Sequence, residues 1–140
     1  MGLKILVPID FSERSEHALE VTAKLFRDGG AQFILLNVIP LPIDVAGIAL
    51  PAPDPGEILA LERDLQDMAA RHAVRATAKV SILEDPGVAI LRVASEQGCD
   101  LIAVGTRGRG GVERALFGSV ADHVIRHAEC PVLTLRDPAH

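Results

Sequence analysis

Short apolar runs alternate with longer helical stretches along nearly the whole chain. The runs typical of strands cover residues 3–9, 33–39, 77–83, 101–104 and 131–136. Between them, the spacing of apolar residues predicts helices over residues 12–27, 57–72, 86–97 and 119–128. Since parallel strands need long crossover connections, this alternation predicts an α/β fold with an open parallel five-stranded sheet and helices on both faces.

The third run is typical of an edge strand. Its polar residues Thr77, Lys79 and Ser81 alternate with apolar ones, whereas a central parallel strand is apolar throughout. In the flavodoxin-like order 3-2-1-4-5, strands one and four are neighbours. Ligands of such sheets bind beyond the carboxyl ends of strands, where the strand order reverses. We therefore expect Asp10 and the segment 105–119 to line one crevice.

The segment after the fourth strand is rich in glycine. Gly105 and Gly108 are followed, after nine further residues, by the pair Gly118 and Ser119. Glycine lets backbone N–H groups approach an anion closely. The first N–H groups of a helix, together with its dipole, also favour negative charge. This segment therefore predicts a phosphate site at the start of the last helix.

Other nucleotide and metal motifs do not fit the same segment. A P-loop needs a lysine after its glycines, and none follows here. The dinucleotide pattern fails because Glu113 stands where its third glycine would be. His123 and His127 lie one helical turn apart, but Val124 replaces the glutamate of the zinc protease motif. These observations argue against a zinc site of that kind.

Charge and aromatic content argue against nucleic acid as a partner. The chain has 140 residues, the size of a single domain (1–140), a formal net charge of −5, and neither Trp nor Tyr. Positive charge is instead concentrated beside the glycines, at Arg107, Arg109 and Arg114. Such a cluster either contacts phosphate oxygens or faces water.

The sequence also predicts a cytoplasmic protein that does not enter membranes. No apolar stretch reaches membrane-spanning length, and the first residues do not resemble a signal peptide. Cys99 and Cys130 form no CxxC pair, and we expect both to be buried as small hydrophobes.

One long segment interrupts the strand–helix rhythm. Residues 40–55 contain five of the nine prolines, which predicts a mobile loop without regular structure. Its length is unusual for a compact domain, so a role as a lid or in partner binding is one hypothesis.

The glycine–serine spacing resembles the nucleotide-binding signature of the universal stress protein family. The similarity extends over about residues 3–136 in the same order. It includes the segments Val-Pro-Ile-Asp-Phe-Ser-Glu at 7–13, Leu-Leu-Asn-Val at 35–38, 100–108, 118–121 and 127–133. Two positions depart from the commonest family pattern: Asn37 replaces a frequent histidine, and Glu84 stands where glycine is common.

This resemblance implies a Rossmann-like domain in a homodimeric regulator of the stress response that binds ATP with Mg²⁺. By the resemblance, Asp10 would approach the ribose or the metal-bound triphosphate, and Val38 would meet adenine. The ATP site predicted in this way comprises Pro8, Ile9, Asp10, Val38, Gly105, Thr106, Arg107, Gly108, Arg109, Gly118, Ser119 and Val120. The last strand, from Val132 to Leu135, would be the dimer contact.

Several alternatives remain open at the level of sequence. Ser119 or Asp10 could simply cap a helix, and the tail 137–140 could cover the last strand. In place of a regulator, the chain could be a slow ATPase or phosphate-transferring enzyme, with Glu113 as the one carboxylate within the loop. It could also be a partner-binding module with an empty pocket.

Overall fold

The computed structural model describes residues 2–40, 47, 51, 53–82, 84–106 and 118–137. Five strands and four α-helices alternate along the described chain. The strands are β1 (Lys4–Pro8), β2 (Gln32–Ile39), β3 (Arg75–Ile82), β4 (Leu101–Thr106) and β5 (Val132–Arg136). The helices are α1 (Glu13–Phe26), α2 (Pro55–Arg71), α3 (Pro86–Glu96) and α4 (Ser119–His127). A short 3₁₀ turn over Arg27–Gly29 follows α1, and Gly30 completes it at φ 81°.

All strand pairs are parallel, and their order is β3-β2-β1-β4-β5. The predicted fold class and strand order are therefore confirmed. β3 is an edge strand, as its alternating pattern predicted, and its residues are only partly buried or exposed. β1 lies at the centre, where Ile5, Leu6 and Val7 have no exposed surface.

Two apolar clusters hold the helices on opposite faces of the sheet. One cluster joins α1 and α2 to the sheet around Leu19, Phe33 and Leu65. The other joins α3 and α4 to the opposite face around Ile90 and Val124. Each face is thus covered by two helices, which leaves the carboxyl ends of the strands open between them.

The two cysteines pack against the second cluster. Both are free thiols and are half-buried. They pack as small hydrophobic residues, as expected, but they are less buried than predicted from the sequence. Burial raises the pKa of the Cys99 thiol to about 11, and the nearby Cys130 adds to this shift. A thiol with a raised pKa is a poor nucleophile at neutral pH.

Side-chain caps set the starts of three helices. Ser12 is the N-cap of α1, as predicted, and its side chain accepts a hydrogen bond from the Ser15 N–H. Asp54 and Asp85 cap α2 and α3 in the same way, each followed by a proline at the first helical position. α2 therefore begins at Pro55, two residues before the predicted start, because Asp54 and Pro55 form an N-terminal signal of their own.

The strand bounds differ from the predicted ones by one or two residues at several ends. β1 ends at Pro8 instead of residue 9, and β3 begins at Arg75 instead of residue 77. β4 also continues two residues beyond its predicted end, through Gly105 and Thr106, because both pair with β5. Leu83, the predicted last residue of the third strand, lies outside the described residues. Most of the proline-rich segment 40–55 does too, so the mobile loop expected over that segment stays a prediction.

Candidate functional site

A cavity of about 280 Å³ lies at the carboxyl ends of β1 and β4. This is the point where the strand order reverses, since chain connections from β1 to β2 and from β4 to β5 run in opposite directions across the sheet. Its described lining residues are Pro8, Ile9, Asp10, Ser12, Arg14, Ser15, Leu36, Val38, Pro86, Ile90, Val104, Gly105, Gly118, Ser119, Val120 and Ala121. The expected crevice between Asp10 and the glycine segment is thus present.

Most of the predicted site residues that the structure describes line this cavity. They are Pro8, Ile9, Asp10, Val38, Gly105, Gly118, Ser119 and Val120. Thr106 is the exception: it is buried, and its hydroxyl donates to the Leu135 carbonyl oxygen on β5 at 3.4 Å. Arg107, Gly108 and Arg109, together with Glu113 and Arg114, lie outside the described residues.

Asp10 is held in place by the first turn of α1. The backbone N–H of Ser12 donates to Asp10 Oδ1 at 3.0 Å, and the Ser12 hydroxyl donates to the same oxygen. The Asp10 N–H in turn donates to Ser15 Oγ at 3.3 Å. Ser12, not Asp10, caps α1, so capping does not explain why the Asp10 carboxylate is held at the cavity.

The environment of Asp10 favours its charged form. Burial alone would raise the pKa of its carboxyl group. Hydrogen bonds from Ser12 and Ser15, with the nearby charge of Arg14, outweigh burial and lower the pKa below its ordinary value. Asp10 is therefore a carboxylate at neutral pH, suited to a cation and poorly suited to accept a proton.

Phe11 makes the turn between β1 and α1. It has φ 65°, which is a strained conformation for a residue with a side chain. The chain bends at Phe11 and Ser12, and the Ser12 N–H donates back to the Asp10 carboxylate. The strained backbone thus lies directly beside Asp10, which lines the cavity.

The N-terminus of α4 opens on the same cavity. Its N-cap is Gly118, at φ 78° and ψ 161°, and no side chain among the described residues caps the helix. Ser119 is the first helical residue, so the alternative that Ser119 is a plain N-cap is wrong. The first intrahelical bond runs from the Asp122 N–H to the Gly118 carbonyl oxygen at 3.0 Å. The N–H groups of the helix before Asp122 have no intrahelical acceptor and no acceptor elsewhere in the described part of the chain, so they can donate to an anion.

Gly105 allows α1 and β4 to approach closely beside the cavity. A Cβ added at Gly105 would lie 2.8 Å from Arg14 Cγ and 2.9 Å from the Arg14 carbonyl oxygen. Any larger residue would force α1 away from the sheet. Glycine is therefore required here for packing, whatever its contribution to ligand binding.

One wall of the cavity is apolar. It is formed by side chains of β2, α3 and β4, namely Leu36, Val38, Ile90 and Val104. Between Leu36 and Val38, the buried Asn37 turns away from the ligand space and donates its Nδ2 to the Ile9 carbonyl oxygen at 2.8 Å. The cavity thus has an apolar side and a polar side, the arrangement typical of small-molecule sites.

Sequence reasoning missed three polar residues of the cavity: Ser12, which was predicted only as a helix cap, Arg14 and Ser15. Arg14 and Ser15 follow Asp10 by four and five positions and belong to the first turn of α1. A signal was present, because a helix that starts at Glu13, three residues after Asp10, must place its first turn at the same sheet edge.

The two described histidines of α4, His123 and His127, have ring centroids 4.6 Å apart. Across the described ranges, no group of three or more His, Cys, Asp or Glu could hold a metal ion.

No helix in the described part of the chain is long and apolar enough to cross a membrane.

Comparison with known proteins finds the same family along nearly the whole chain. The model of the universal stress protein family matches residues 1–136. The universal stress protein MJ0531 of Methanocaldococcus jannaschii is 31% identical, and the match covers 96% of this chain and 82% of that protein.

Two solved structures share the fold. One is a universal stress protein family protein of Arabidopsis thaliana with AMP bound, with a TM-score of 0.69 and 21% identity over 98% of this chain and 93% of that one. The other is a universal stress protein in complex with cAMP, with a TM-score of 0.71 and 21% identity over 96% and 97% of the two chains.

Proposed function

The chain belongs to the universal stress protein family, and we propose that it is a regulatory protein that binds ATP with Mg²⁺ in the cavity between β1 and β4. One observation carries this proposal: the uncapped N-terminus of α4 and the Asp10 carboxylate line a single cavity with an apolar wall. AMP and cAMP in the two solved relatives support a nucleotide as the ligand class.

The apolar wall suits the base of the nucleotide. Val38 and Leu36 come from β2, and Ile90 comes from α3 on the same face of the sheet. A planar ring inserted between them would lose little hydration and gain apolar contact. We assign adenine to this side of the cavity, where Val38 is the residue that the family resemblance predicted to contact adenine.

The polar side suits phosphate and a cation. The free N–H groups at the start of α4, including those of Ser119 and Val120, can donate to phosphate oxygens, and the Ser119 hydroxyl can add another donor. Asp10 fits Mg²⁺, since this ion prefers one or two carboxylates together with phosphate oxygens. When bound, Mg²⁺ would offset the negative charge of the phosphate chain.

The described residues favour binding over hydrolysis. Asp10 is the one carboxylate among the described lining residues, and its lowered pKa makes it a weak general base. For this reason we propose a regulator and not a dedicated enzyme.

We also propose that the protein is a homodimer joined through β5, from Val132 to Leu135. β5 is the last strand of the sheet order, and Val132 and Leu133 are only partly buried. An apolar strand at a sheet edge is a template for pairing with another chain. The cytoplasmic location predicted from the sequence stays a prediction.

Calorimetric titration with Mg-ATP tests the binding proposal. We expect saturable binding by the wild type and a loss of affinity of roughly tenfold in Ser119→Ala, because a hydroxyl donor to a charged phosphate is removed. Thr77→Ala is the control, because it removes an exposed hydroxyl on the edge strand β3 and should leave binding unchanged. Absence of binding by the wild type at millimolar Mg-ATP would refute the proposal.

A further inference from the structure

Arg14 brings a positive charge to the polar side of the cavity. It is partly buried on the first turn of α1 and lines the cavity with Asp10, Gly105 and Ser119. Its stem crosses Gly105 so closely that a Cβ on that residue would lie 2.8 Å from Arg14 Cγ. The absence of a side chain at Gly105 is thus what leaves room for the arginine at this point of the sheet edge.

The guanidinium of Arg14 has no ion pair or hydrogen bond among the described residues. Several other arginines of the described chain are paired: Arg71 with Glu16, Arg92 with Glu84 and Glu96, and Arg126 with Asp122. Arg14 lies near enough to Asp10 for its charge to act on the carboxylate, yet the two side chains form no salt bridge. Five donors therefore remain for a ligand.

The charge balance of the cavity shows what this arginine can add. Asp10 and Arg14 are the charged side chains among the described lining residues, so their formal charges cancel. The N-terminus of α4 offers roughly half a positive charge, which suits a single phosphate group. A second and a third phosphate bring further negative charge. Among the described lining residues, Arg14 is the cationic side chain that can offset this charge.

We infer that Arg14 binds the phosphate chain of the nucleotide and makes this site prefer ATP and ADP to AMP. The inference rests on the proposed nucleotide site and specifies which part of the ligand this chain discriminates. Arginine suits the task because its planar guanidinium can donate two parallel hydrogen bonds to phosphate oxygens.

Arg14→Met is the informative variant because it keeps an unbranched stem over Gly105 and removes only the charged group. Arg63→Met is its matched control. Arg63 is exposed on α2, does not line the cavity and has no ion pair among the described residues, so the substitution changes the net charge equally. Circular dichroism and thermal unfolding of both variants establish that they fold.

The experiment is calorimetric titration of wild type and variants with Mg-ATP, Mg-ADP, AMP and adenosine at one fixed ionic strength. We expect Arg14→Met to bind Mg-ATP roughly 10- to 100-fold more weakly, AMP less affected and adenosine unchanged, because charged hydrogen bonds to the outer phosphates are lost. Arg63→Met should match the wild type for all four ligands. Arg14→Lys, which keeps the charge without the fork, should fall between.

Two other results overturn the inference. If Arg14→Met keeps the wild-type ratio of ATP to AMP affinity, Arg14 does not discriminate phosphate number, while nucleotide binding itself stands. Equal weakening of adenosine and ATP would mean that Arg14 only shapes the cavity. A wild type that binds none of the four ligands refutes the proposed function itself, a result distinct from a changed or unchanged ratio.

Discussion

Asn37 on β2 holds Ile9, the residue directly after β1, through a buried hydrogen bond of 2.8 Å from its Nδ2 to the Ile9 carbonyl oxygen. The Ile9 N–H also bonds to β2, donating to the Leu36 carbonyl oxygen at 2.8 Å. Both backbone groups of Ile9 are therefore fixed by the neighbouring strand. Asp10, the next residue, starts from a rigid point, which limits where its carboxylate can lie.

Asn37→Leu is expected to destabilise the protein by about 1–3 kcal/mol, because it removes a buried hydrogen bond without changing the branching of the side chain. Urea unfolding measures the loss. Gln66→Leu is the control, since Gln66 makes the same kind of bond, to the Ala76 carbonyl oxygen at 3.3 Å, from an exposed position. Equal unfolding free energies for the two variants would contradict a special role for the buried bond.

Gly118→Ala tests the conformation that opens α4 to the cavity. With φ 78° and ψ 161°, Gly118 occupies a region of backbone space that is open essentially to glycine alone. We expect a loss of about 1–3 kcal/mol in unfolding free energy and weaker Mg-ATP binding, since relief of the strain would move the helix N-terminus.

Gly29→Ala is the control for the glycine substitution. A Cβ there meets no atom within 4 Å, and its φ lies outside the left-handed region. Its unfolding free energy should stay within about 0.5 kcal/mol of the wild type. If Gly118→Ala were as stable as Gly29→Ala, the conformation of Gly118 would not constrain the start of α4.

The fold could be predicted because its signals are local. Each strand is a short apolar run, each helix carries its own spacing, and the edge position of β3 is visible in the alternation of Lys79 with apolar neighbours. The ends were less predictable. β4 continues through Thr106 only because β5 lies beside it, and pairing with a strand some 30 residues away has no local signal.

Sequence motifs predicted part of the cavity lining, whereas residues that reach the cavity only through packing between elements were missed. Asp10, Gly118 and Ser119 belong to recognisable sequence patterns, and the structure places all three at one cavity. Arg14 belongs to no motif. It reaches the cavity because α1 packs against Gly105 on β4, a contact between residues 91 positions apart.

Glu84 and Arg92 give a prediction about acid stability. The Arg92 guanidinium donates to both Glu84 carboxylate oxygens at 2.7 and 2.8 Å, and the Ser81 hydroxyl donates to one of them at 2.7 Å. These bonds lower the pKa of the Glu84 carboxyl from 4.5 to about 2. The pair therefore connects the end of β3 to α3, at the position where the family commonly has glycine.

Since the folded-state pKa of Glu84 lies below its unfolded value, its stabilising effect is complete above about pH 5 and is lost as the pH falls toward 2. Glu84→Gln should lower the unfolding free energy by about 1 kcal/mol or less at pH 7, since the pair is partly exposed. The difference from the wild type should shrink toward zero near pH 2. Urea unfolding across this range, with the exposed Asp67→Asn as control, measures it, and a difference independent of pH would contradict the mechanism.

The proposed dimer gives a prediction about the outer edge of β5. The Ile102 N–H donates to the Pro131 carbonyl oxygen, and the Asp137 N–H donates to the Thr106 carbonyl oxygen. In this register the odd-numbered residues of β5 bond to β4, so the N–H of Thr134 points to the opposite edge. That N–H is the central one of the outward donors that a second subunit would use.

Thr134→Pro removes this outward donor and spares the bonds to β4. We expect sedimentation velocity to show a dimer for the wild type and a shift toward monomer for Thr134→Pro. Thr134→Val, which keeps the N–H and the β-branched shape of threonine, should remain a dimer. If Thr134→Pro folds and sediments as a dimer like the wild type, the subunits do not pair through the backbone of β5, and the contact must involve another surface.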